Sequence, residues 1–356
     1  MNKKIIFVIP VIKDLAGGAE RVISILANHA AENGDSVILI TLAECQKAYT
    51  LKDNISCISL KDKENSVAKL LVFIDIIKRT KCDIIISFLP GAILFSIIAG
   101  KICGTKVIAC ERNDPRHSVG RNITKVLRNL LYRYADGFVF QTEEAKTFFS
   151  NKIQKRSIII PNPLSENIIE PFLGNRTNEV VSAGKFFYQK NHILLLEAFS
   201  DVEKIHPELS LTIYGEGSLR IQYENKIREL GIESKVNLPG RVSDIHERIS
   251  KSKMFVLSSD YEGISNSLLE ALALGLPTIS TDCPCGGSRM FIINGVNGLL
   301  VPVGDRKALA DAMLRLIDDK ALCESLSRNS IMIREKLQVK KIYQIWDKYI
   351  NDIILE

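Results

Sequence analysis

The feature that most restricts the fold is a repeated alternation of short apolar runs with segments of helical period. In the first half, runs rich in Ile and Val show no alternation of polar and apolar side chains. They lie at residues 5–9, 36–41, 84–88, 106–110, 137–141 and 157–160. Such runs are typical of parallel strands that are buried on both faces. Because amphipathic segments separate most of them, the pattern predicts a doubly wound α/β sheet.

A second series of the same kind follows a proline-containing stretch at residues 161–176. Its predicted strands lie at 179–182, 210–214, 235–237, 254–258, 277–280 and 298–301, with helices at 191–206, 218–230, 266–274 and 306–318. At 356 residues the chain has about twice the usual length of one domain. We therefore predict two Rossmann-like domains, residues 1–170 and 177–340. Ligands of such sheets lie beyond the carboxyl ends of the strands, so the two domains are expected to face a central cleft.

Composition and terminal sequence favour a folded cytoplasmic protein. The chain has 46% hydrophobic and 25% charged residues, and its eight cysteines form no CxxC pair, which indicates reduced thiols. The apolar run at the N-terminus is short, contains Pro10 and lacks a cleavage pattern, so we interpret it as a strand. The longest uncharged run, residues 84–100, is broken by Pro90 and Gly91, and no transmembrane helix is expected.

The positive charge is concentrated in the first half of the chain. Residues 1–172 contain 24 Lys and Arg against 17 Asp and Glu, a net charge of +7, whereas the remainder carries −1. This asymmetry favours an anionic partner such as a membrane surface or a phosphorylated acceptor, although an ordinary solvated surface explains it equally well. Nucleic acid is not expected, because no aromatic residues interleave the basic ones.

The strongest local pattern is the segment from Ser259 to Pro277. A predicted strand ends, a turn containing glycine follows, and a helix begins near Ser265 and Asn266, which are both good capping residues. The unpaired amides at the start of a helix bind diphosphates well. Glu270 lies two turns into this helix, where a carboxylate can accept hydrogen bonds from ribose hydroxyls, and Glu262 lies in the turn before it.

This segment resembles the E-x7-E motif of retaining, family-4-type GT-B glycosyltransferases. Seven residues separate Glu262 from Glu270, and the Glu-Ala-x-Ala-x-Gly-x-Pro continuation follows. Further motifs of the family occur in its order along both halves, at residues 16–21, 184–191, 214–217, 238–241 and 297–302. The resemblance implies a GT-B fold with an acceptor domain first and a donor domain second, and it places a last helix, residues 342–356, on the first domain.

The resemblance also implies roles for individual residues. Glu262, Lys190 and Lys185 are the expected catalytic residues, and the two lysines stabilise the charge that develops on the departing diphosphate. Lys185 stands where the family more often has Arg. The expected donor-binding residues are Glu270, Gly17, Gly18, Gly263, Ile264, Ser265, Asn266, Gly240, Arg241 and Gly215. The last of these equally suits a purely structural turn.

No cofactor and no divalent metal are expected. The sequence has no Asp-x-Asp after an apolar strand, and lysines with a helix N-terminus can replace the cation. The resemblance implies a UDP-linked hexose or N-acetylhexosamine as donor and a role in bacterial capsule, O-antigen or lipopolysaccharide synthesis. Met290 stands where the family often has Glu, which leaves the donor sugar open.

The acceptor side is predicted in the first domain. Glu111, Arg112, Asn113 and His117 follow a strand, and a salt-bridged loop is the alternative explanation. On the predicted helix 119–134, Arg121, Lys125 and Arg128 form a basic stripe opposite apolar positions. This stripe, with the apolar residues 93–98, predicts a peripheral enzyme on the inner face of the plasma membrane with a polyprenyl-diphosphate-linked acceptor. A solvated helix face is the alternative.

Three other functions share part of this sequence pattern. A non-hydrolysing nucleotide-sugar epimerase has the same fold but needs a set of carboxylates and a His that is not evident. A dinucleotide-dependent oxidoreductase requires an intact GxGxxG turn, and both glycine turns are incomplete. A membrane-surface or glycan-binding protein without catalysis leaves Glu262, Glu270 and Lys190 unexplained.

Overall fold

The chain forms two compact units in a computed structural model. The structure describes residues 2–12, 17–45, 49–63, 65–117 and 122–356. Unit 1 comprises residues 1–163 together with 339–356, and unit 2 comprises residues 164–338. Within these segments, none of the helices combines the length and the apolar character needed to span a bilayer.

Unit 1 is built on a seven-stranded parallel sheet of order β3-β2-β1-β4-β5-β6-β7. Its strands are β1 Lys4–Ile9, β2 Ser36–Thr41, β3 Ser56–Ser59, β4 Ile84–Phe88, β5 Lys106–Cys110, β6 Gly137–Phe140 and β7 Ser157–Ile159. The central strands are buried along their length, as apolar runs without alternation predict. The edge strand β3 was not predicted, because its Ser-Cys-Ile-Ser sequence is short, polar and largely exposed.

Helices cover the sheet of unit 1, as the doubly wound pattern predicts. They are α1 Gly18–Glu32, α2 Ser66–Thr80, α3 Pro90–Cys103, α4 Asn122–Leu131, α5 Glu143–Thr147 and α6 Asn151–Gln154, and a 3₁₀ turn spans Tyr132–Tyr134. Pro90 occupies the first turn of α3, where its missing N–H costs nothing, so the break in the uncharged run is a strand-to-helix junction.

Unit 2 repeats the architecture with a six-stranded parallel sheet of order β10-β9-β8-β11-β12-β13. The strands are β8 Glu179–Ala183, β9 Ser210–Tyr214, β10 Val236–Gly240, β11 Met254–Leu257, β12 Thr278–Thr281 and β13 Leu299–Val301. The helices are α7 His192–Glu203, α8 Arg220–Leu230, α9 Ile245–Ile249, α10 Asn266–Ala273, α11 Arg306–Asp318, α12 Lys320–Ser330 and α13 Ile333–Lys336.

The last helix, α14 Val339–Leu355, belongs to unit 1 although it follows unit 2 in the chain. Trp346 is fully buried and stacks on Phe88 at the end of β4, with ring centroids 6.2 Å apart. The Tyr349 hydroxyl donates to the Arg156 carbonyl at 2.7 Å and accepts from the Phe138 amide at 2.9 Å. These contacts attach the end of the chain to the first sheet.

Candidate active site

The candidate site of unit 2 lies where its strand order reverses. β8 is the first strand of the unit, β9 lies on one side of it and β11 on the other. The segments that follow β8 and β11, residues 184–191 and 258–265, therefore leave adjacent strands at the same edge of the sheet. Open α/β sheets bind their ligands at this reversal, because the loops on the two sides diverge there.

Glu262 is the centre of this site. Its side chain is only 6% exposed, and its Oε1 accepts from Lys190 Nζ at 2.5 Å and from Ser259 Oγ at 2.8 Å. Its Oε2 accepts from Gln189 Nε2 at 3.0 Å. The structure thus brings together Glu262 and Lys190, which the sequence pairs only as members of two motifs. A buried carboxylate of this kind is stable because a cation and two neutral donors surround it.

Gln189 and Ser259 were missed by the sequence analysis. Each adjoins or lies near a predicted site residue, but neither Gln nor Ser signals a carboxylate partner by its type alone. Their contribution depends on the approach of the two loops, which Asn191 Nδ2 and Asp260 Oδ1 join at 2.7 Å. The Asp260 amide also donates to the Gln189 carbonyl at 2.9 Å. The position of Glu262 therefore depends on contacts between segments that are about seventy residues apart.

The end of β12 and the residues after it support the same turn. Thr281 Oγ1 donates to the Ser259 carbonyl at 2.6 Å, and Cys283 Sγ donates to the same oxygen at 3.2 Å. Burial raises the pKa of the Cys283 thiol to about 12, so this sulfur remains protonated and serves as a donor rather than as a nucleophile.

At Gly215 and Gly287, close backbone contacts leave no room for a side chain. Gly215 has φ +152°, and a Cβ on it would lie 1.9 Å from the Gly184 carbonyl oxygen. A Cβ on Gly287 would lie 1.5 Å from the Gly263 carbonyl oxygen. Gly215 thus packs the turn after β9 against the turn that carries Lys185. Gly240 ends β10 with φ +83°, a left-handed conformation that favours glycine.

Helix α10 starts directly after this turn. Ser265 is its N-cap residue, Asn266 its first residue, and residues 262–265 are buried. Glu270, on the same helix, is 8% exposed, and its Oε2 lies 3.4 Å from His246 Nε2 on α9. His246 was not predicted, since nothing in its local sequence links it to a carboxylate 24 positions away. The buried α10 turn and the Glu270 carboxylate have the arrangement expected for binding a diphosphate and a ribose.

Two predicted residues of unit 2 stand apart from this cluster. Lys185 is exposed and has no side-chain hydrogen bond or ion pair with any residue that the structure describes. Arg241 is also exposed, and its charge acts on the Glu216 carboxylate. Met290 stands where the family often has Glu. It is 43% exposed, so its apolar side chain lies at an accessible position.

In unit 1, the predicted glycine turn opens α1. Gly17 is the N-cap residue of α1 and Gly18 its first residue. The Gly17 carbonyl accepts from the Arg21 amide at 3.2 Å and from the Tyr49 hydroxyl at 3.4 Å. The turn therefore lies at the carboxyl end of β1, as predicted, and the residue before it, Ala16, lies outside the described residues.

The four residues predicted after β5 occupy different environments. Glu111 and Arg112 are buried, and Glu111 Oε1 accepts from the Tyr132 hydroxyl at 2.7 Å. Asn113 is half-buried, and its Oδ1 accepts from the Asp114 amide at 2.9 Å. His117 is exposed. The loop is thus internally bonded, while Arg112 points inward.

The predicted basic stripe on α4 is wrong. Arg128 is 4% exposed, its Nη1 donates to the Pro115 carbonyl at 2.7 Å, and its guanidinium lies 5.1 Å from the ring centroid of Phe148. Lys125 is exposed, and Arg121 lies outside the described residues. Four of the apolar positions opposite the predicted stripe are exposed: Val126 by 56%, Leu127 by 41%, Leu130 by 50% and Tyr134 by 43%.

The predicted apolar patch at residues 93–98 is also mostly internal. Ile93, Leu94 and Ile97 are buried, and Ile98 is 37% exposed. Helix α3 is apolar on nearly all sides because it packs on the sheet and against α2 and α4. The exposed apolar surface of this region therefore belongs mainly to α4.

Two family models match nearly the whole chain between them. The model described as Glycosyltransferase Family 4 matches residues 16–167, and the model described as Glycosyl transferases group 1 matches residues 166–332. Their junction lies close to the boundary between the two units at residues 163 and 164.

Relatives that align over nearly their full length are also named as glycosyltransferases. The chain is 28% identical to an uncharacterized glycosyltransferase of Haemophilus influenzae, over 93% of this chain and 95% of the relative. It is 25% identical to the GalNAc-alpha-(1->4)-GalNAc-alpha-(1->3)-diNAcBac-PP-undecaprenol alpha-1,4-N-acetyl-D-galactosaminyltransferase of Campylobacter jejuni, over 98% and 99%. It is 23% identical to the amylovoran biosynthesis glycosyltransferase AmsD of Erwinia amylovora, over 94% and 96%.

Solved structures share the fold. Anabaena HepE in complex with UDP superposes with a TM-score of 0.83 at 18% identity, covering 98% of this chain and 100% of that one. The pneumococcal O-GlcNAc transferase GtfA in complex with UDP and GlcNAc has a TM-score of 0.83 at 14% identity, with both chains fully covered.

Two parallel sheets, the glycine and E-x7-E motifs and these matches define a glycosyltransferase of the GT-B fold. Within that class the chain belongs to the family-4-type glycosyltransferases. The predicted fold and family are confirmed, and they favour a glycosyltransferase over the epimerase, oxidoreductase and binding-only alternatives.

Proposed function

We propose that this enzyme is a retaining transferase that moves a hexose or N-acetylhexosamine from a UDP-sugar to a glycan or lipid-linked acceptor during synthesis of a bacterial surface polysaccharide. The observation that carries this proposal is the buried Lys190–Glu262 pair at the strand reversal of unit 2, next to the N-terminus of α10. The names of the relatives support the acceptor class: one acts on an undecaprenol-linked diphosphate saccharide and another serves amylovoran biosynthesis. Anabaena HepE has been solved with UDP-glucose.

Lys190 has a charge-stabilising role in this proposal. Departure of UDP leaves negative charge on the β-phosphate, and a fixed ammonium group close to it lowers the barrier. The Lys190 side chain is 15% exposed and is held in place by Glu262 and by the loop contacts, so it requires little reorganisation. The backbone amides at the N-terminus of α10 supply further donors to the diphosphate.

Retention needs no separate general base in this scheme, since the departing phosphate accepts the acceptor's proton. Glu262 then holds the Lys190 ammonium group in place and accepts a hydrogen bond from the donor sugar, while Glu270 accepts hydrogen bonds from the ribose hydroxyls. We further propose that no divalent metal is required. In this scheme Lys190 and the N-terminus of α10 supply the positive charge that a divalent cation provides in other transferases.

The test is calorimetric titration with a panel of UDP-sugars in the presence of EDTA. We expect one UDP-sugar to bind the wild-type protein, and Lys190→Ala and Glu270→Ala to weaken that binding at least about tenfold, as the loss of a charged hydrogen bond does. Glu262→Gln is expected to lower kcat about a hundredfold with a smaller effect on binding.

Matched controls are Lys307→Ala and Glu324→Ala, which remove exposed charges from α11 and α12. They should leave donor binding unchanged. Binding that ignores Lys190 and Glu270 would contradict the site, and activity that EDTA abolishes and Mg²⁺ restores would contradict the metal-independent mechanism.

We propose, in addition, that the enzyme associates with an anionic bilayer through α4. The exposed Val126, Leu127 and Leu130 form an apolar surface beside the charged Lys125, on the half of the chain with net charge +7. Exposed apolar side chains combined with cationic ones are typical of helices that lie in the membrane interface.

The corresponding test is co-sedimentation with phosphatidylglycerol-containing vesicles. Leu127→Glu combined with Leu130→Glu should reduce the bound fraction about tenfold, because two charges would have to enter the interface. Ile205→Glu, at a position of unit 2 that is 61% exposed, is the matched control and should bind as the wild type does. Equal sedimentation of the double variant would exclude α4 as the membrane contact.

A further inference from the structure

Arg112 has an unusual environment for a charged side chain. It follows directly after β5 and is 9% exposed. Its guanidinium lies 4.8 Å from the ring centroid of Phe88, and its Nη2 donates to Asn162 Oδ1. That amide oxygen also accepts from Gln141 Nε2 at 2.8 Å. The ring beneath the guanidinium and the bonded amide beside it hold Arg112 in one orientation.

The charge of Arg112 is not balanced within the fold. Among the described residues, no carboxylate forms an ion pair with Arg112, and its Nε and Nη1 have no hydrogen-bond partner. The adjacent Glu111 points elsewhere and bonds Tyr132. Burial lowers the pKa of Arg112 to about 10, so the side chain remains a cation at neutral pH. Burying an unpaired charge is costly, and proteins rarely retain one without a function.

The surroundings of Arg112 lie at the ligand-binding edge of the sheet. Phe88 ends β4, Arg112 follows β5, and the strand order of unit 1 reverses between β1 and β4. Arg21, in the first turn of α1 after β1, donates through Nη2 to the Pro163 carbonyl at 3.5 Å. Since Asn162 and Pro163 are consecutive, both guanidinium groups contact one short segment. Two cations thus converge at the edge where open α/β sheets bind ligands.

We propose that Arg112 is the anion-binding residue of unit 1 and that its guanidinium binds a phosphate oxyanion of a substrate. Guanidinium matches phosphate through charge and several parallel donors, and a buried, oriented one binds without first having to be ordered. Arg112 thus takes the anion-binding role that the sequence assigned to the stripe containing Arg128. Arg128 is buried, and its Nη1 donates to the Pro115 carbonyl. The proposal rests on the proposed function to the extent that both substrates carry diphosphates, which belong either to the nucleotide or to the lipid-linked acceptor.

The experiment is calorimetric titration of the full chain with inorganic pyrophosphate, UDP and farnesyl diphosphate. Arg112→Met keeps the apolar stem on Phe88 but removes the charge. We expect it to weaken pyrophosphate at least about tenfold, with the same loss for either UDP or farnesyl diphosphate. A loss for UDP identifies the donor's diphosphate, and a loss for farnesyl diphosphate identifies the acceptor's. The matched control is Arg79→Gln, which removes an arginine of α2 whose side chain is 78% exposed and should change none of the three affinities.

A measurement of stability separates ligand binding from a structural role. Without ligand, Arg112→Met should keep or raise the melting temperature, because it removes an unbalanced buried charge. A variant with a lower melting temperature and unchanged affinities would show that Arg112 is structural and would overturn the proposal. If Arg112→Met fails to fold, Arg112→Lys retains a charge but not the fork, and it should still weaken pyrophosphate about threefold or more.

Two further outcomes keep this proposal distinct from the proposed function. If wild type binds pyrophosphate but none of the nucleotide ligands, the UDP-sugar function fails while the anion site stands. If UDP binds in a manner that depends on Glu270 but all affinities ignore Arg112, the donor site stands and the anion site is overturned.

Discussion

Single glycines determine how closely the turns of the candidate site in unit 2 pack. A Cβ on Gly287 would lie 1.5 Å from the Gly263 carbonyl oxygen, and that oxygen belongs to the turn after Glu262. Gly287→Ala must therefore displace backbone rather than a flexible side chain. We expect it to lower the free energy of unfolding by about 3 kcal/mol and to reduce kcat. Chemical denaturation and initial-rate assays measure the two effects.

The comparison for this substitution is Gly91→Ala in α3. A Cβ on Gly91 meets no atom within 4 Å, and the position is helical, so alanine should be neutral or slightly stabilising. If Gly287→Ala retained wild-type stability and activity, the close contact between the two turns would not exist in solution.

Helix α7 begins with a buried titratable residue. His192 packs edge-on against Phe186 and Tyr223, with ring centroids 5.6 Å and 5.4 Å away. Burial, with a smaller effect from the nearby Lys190 charge, lowers the pKa of His192 to about 3. In the unfolded chain its pKa is about 6.5. Between these values only the unfolded state binds the proton, so stability falls as pH falls.

We therefore expect the buried His192 to make the stability of the protein sensitive to acid. From pH of about 6.5 downward, His192 alone should reduce the free energy of unfolding by about 1.4 kcal/mol for each pH unit. His192→Phe preserves the aromatic packing and removes the titration, so its stability curve should decline less steeply than that of the wild type. Urea denaturation over a pH series checks this. Parallel curves for the two proteins would mean that His192 is not buried as a neutral ring.

At the scale of the whole molecule, the last helix, α14, completes the packing of unit 1. Trp346 of α14 is fully buried against Phe88, although more than 250 residues separate them in the chain. Trp346→Ala should lower the free energy of unfolding of unit 1 by about 3–5 kcal/mol, because it leaves a large cavity. Far-UV circular dichroism during chemical denaturation measures the change. Ile345→Ala, at a neighbouring position that is 39% exposed, should change it by less than about 1 kcal/mol.

Much of the architecture follows from local sequence. Buried parallel strands are continuous apolar runs, and such a run can be recognised without knowing which strands lie beside it. The bounds of β4 and β11 were therefore predicted to within one residue. The E-x7-E spacing is likewise local, because it joins Glu262 in a turn to Glu270 on the helix that directly follows. The sequence by itself therefore determined the fold class, the family and the turn and helix that carry Glu262 and Glu270.

The tertiary structure decided how faces are oriented and which side chains meet. The period of α4 predicts two different faces, but only the neighbouring Pro115 and Phe148 determine that Arg128 turns inward and Leu127 outward. The partners of Glu262 and the contacts of Arg112 with Phe88 and Asn162 similarly arise between segments distant in sequence. Such contacts depend on the packing of whole elements, whose energies no local pattern contains.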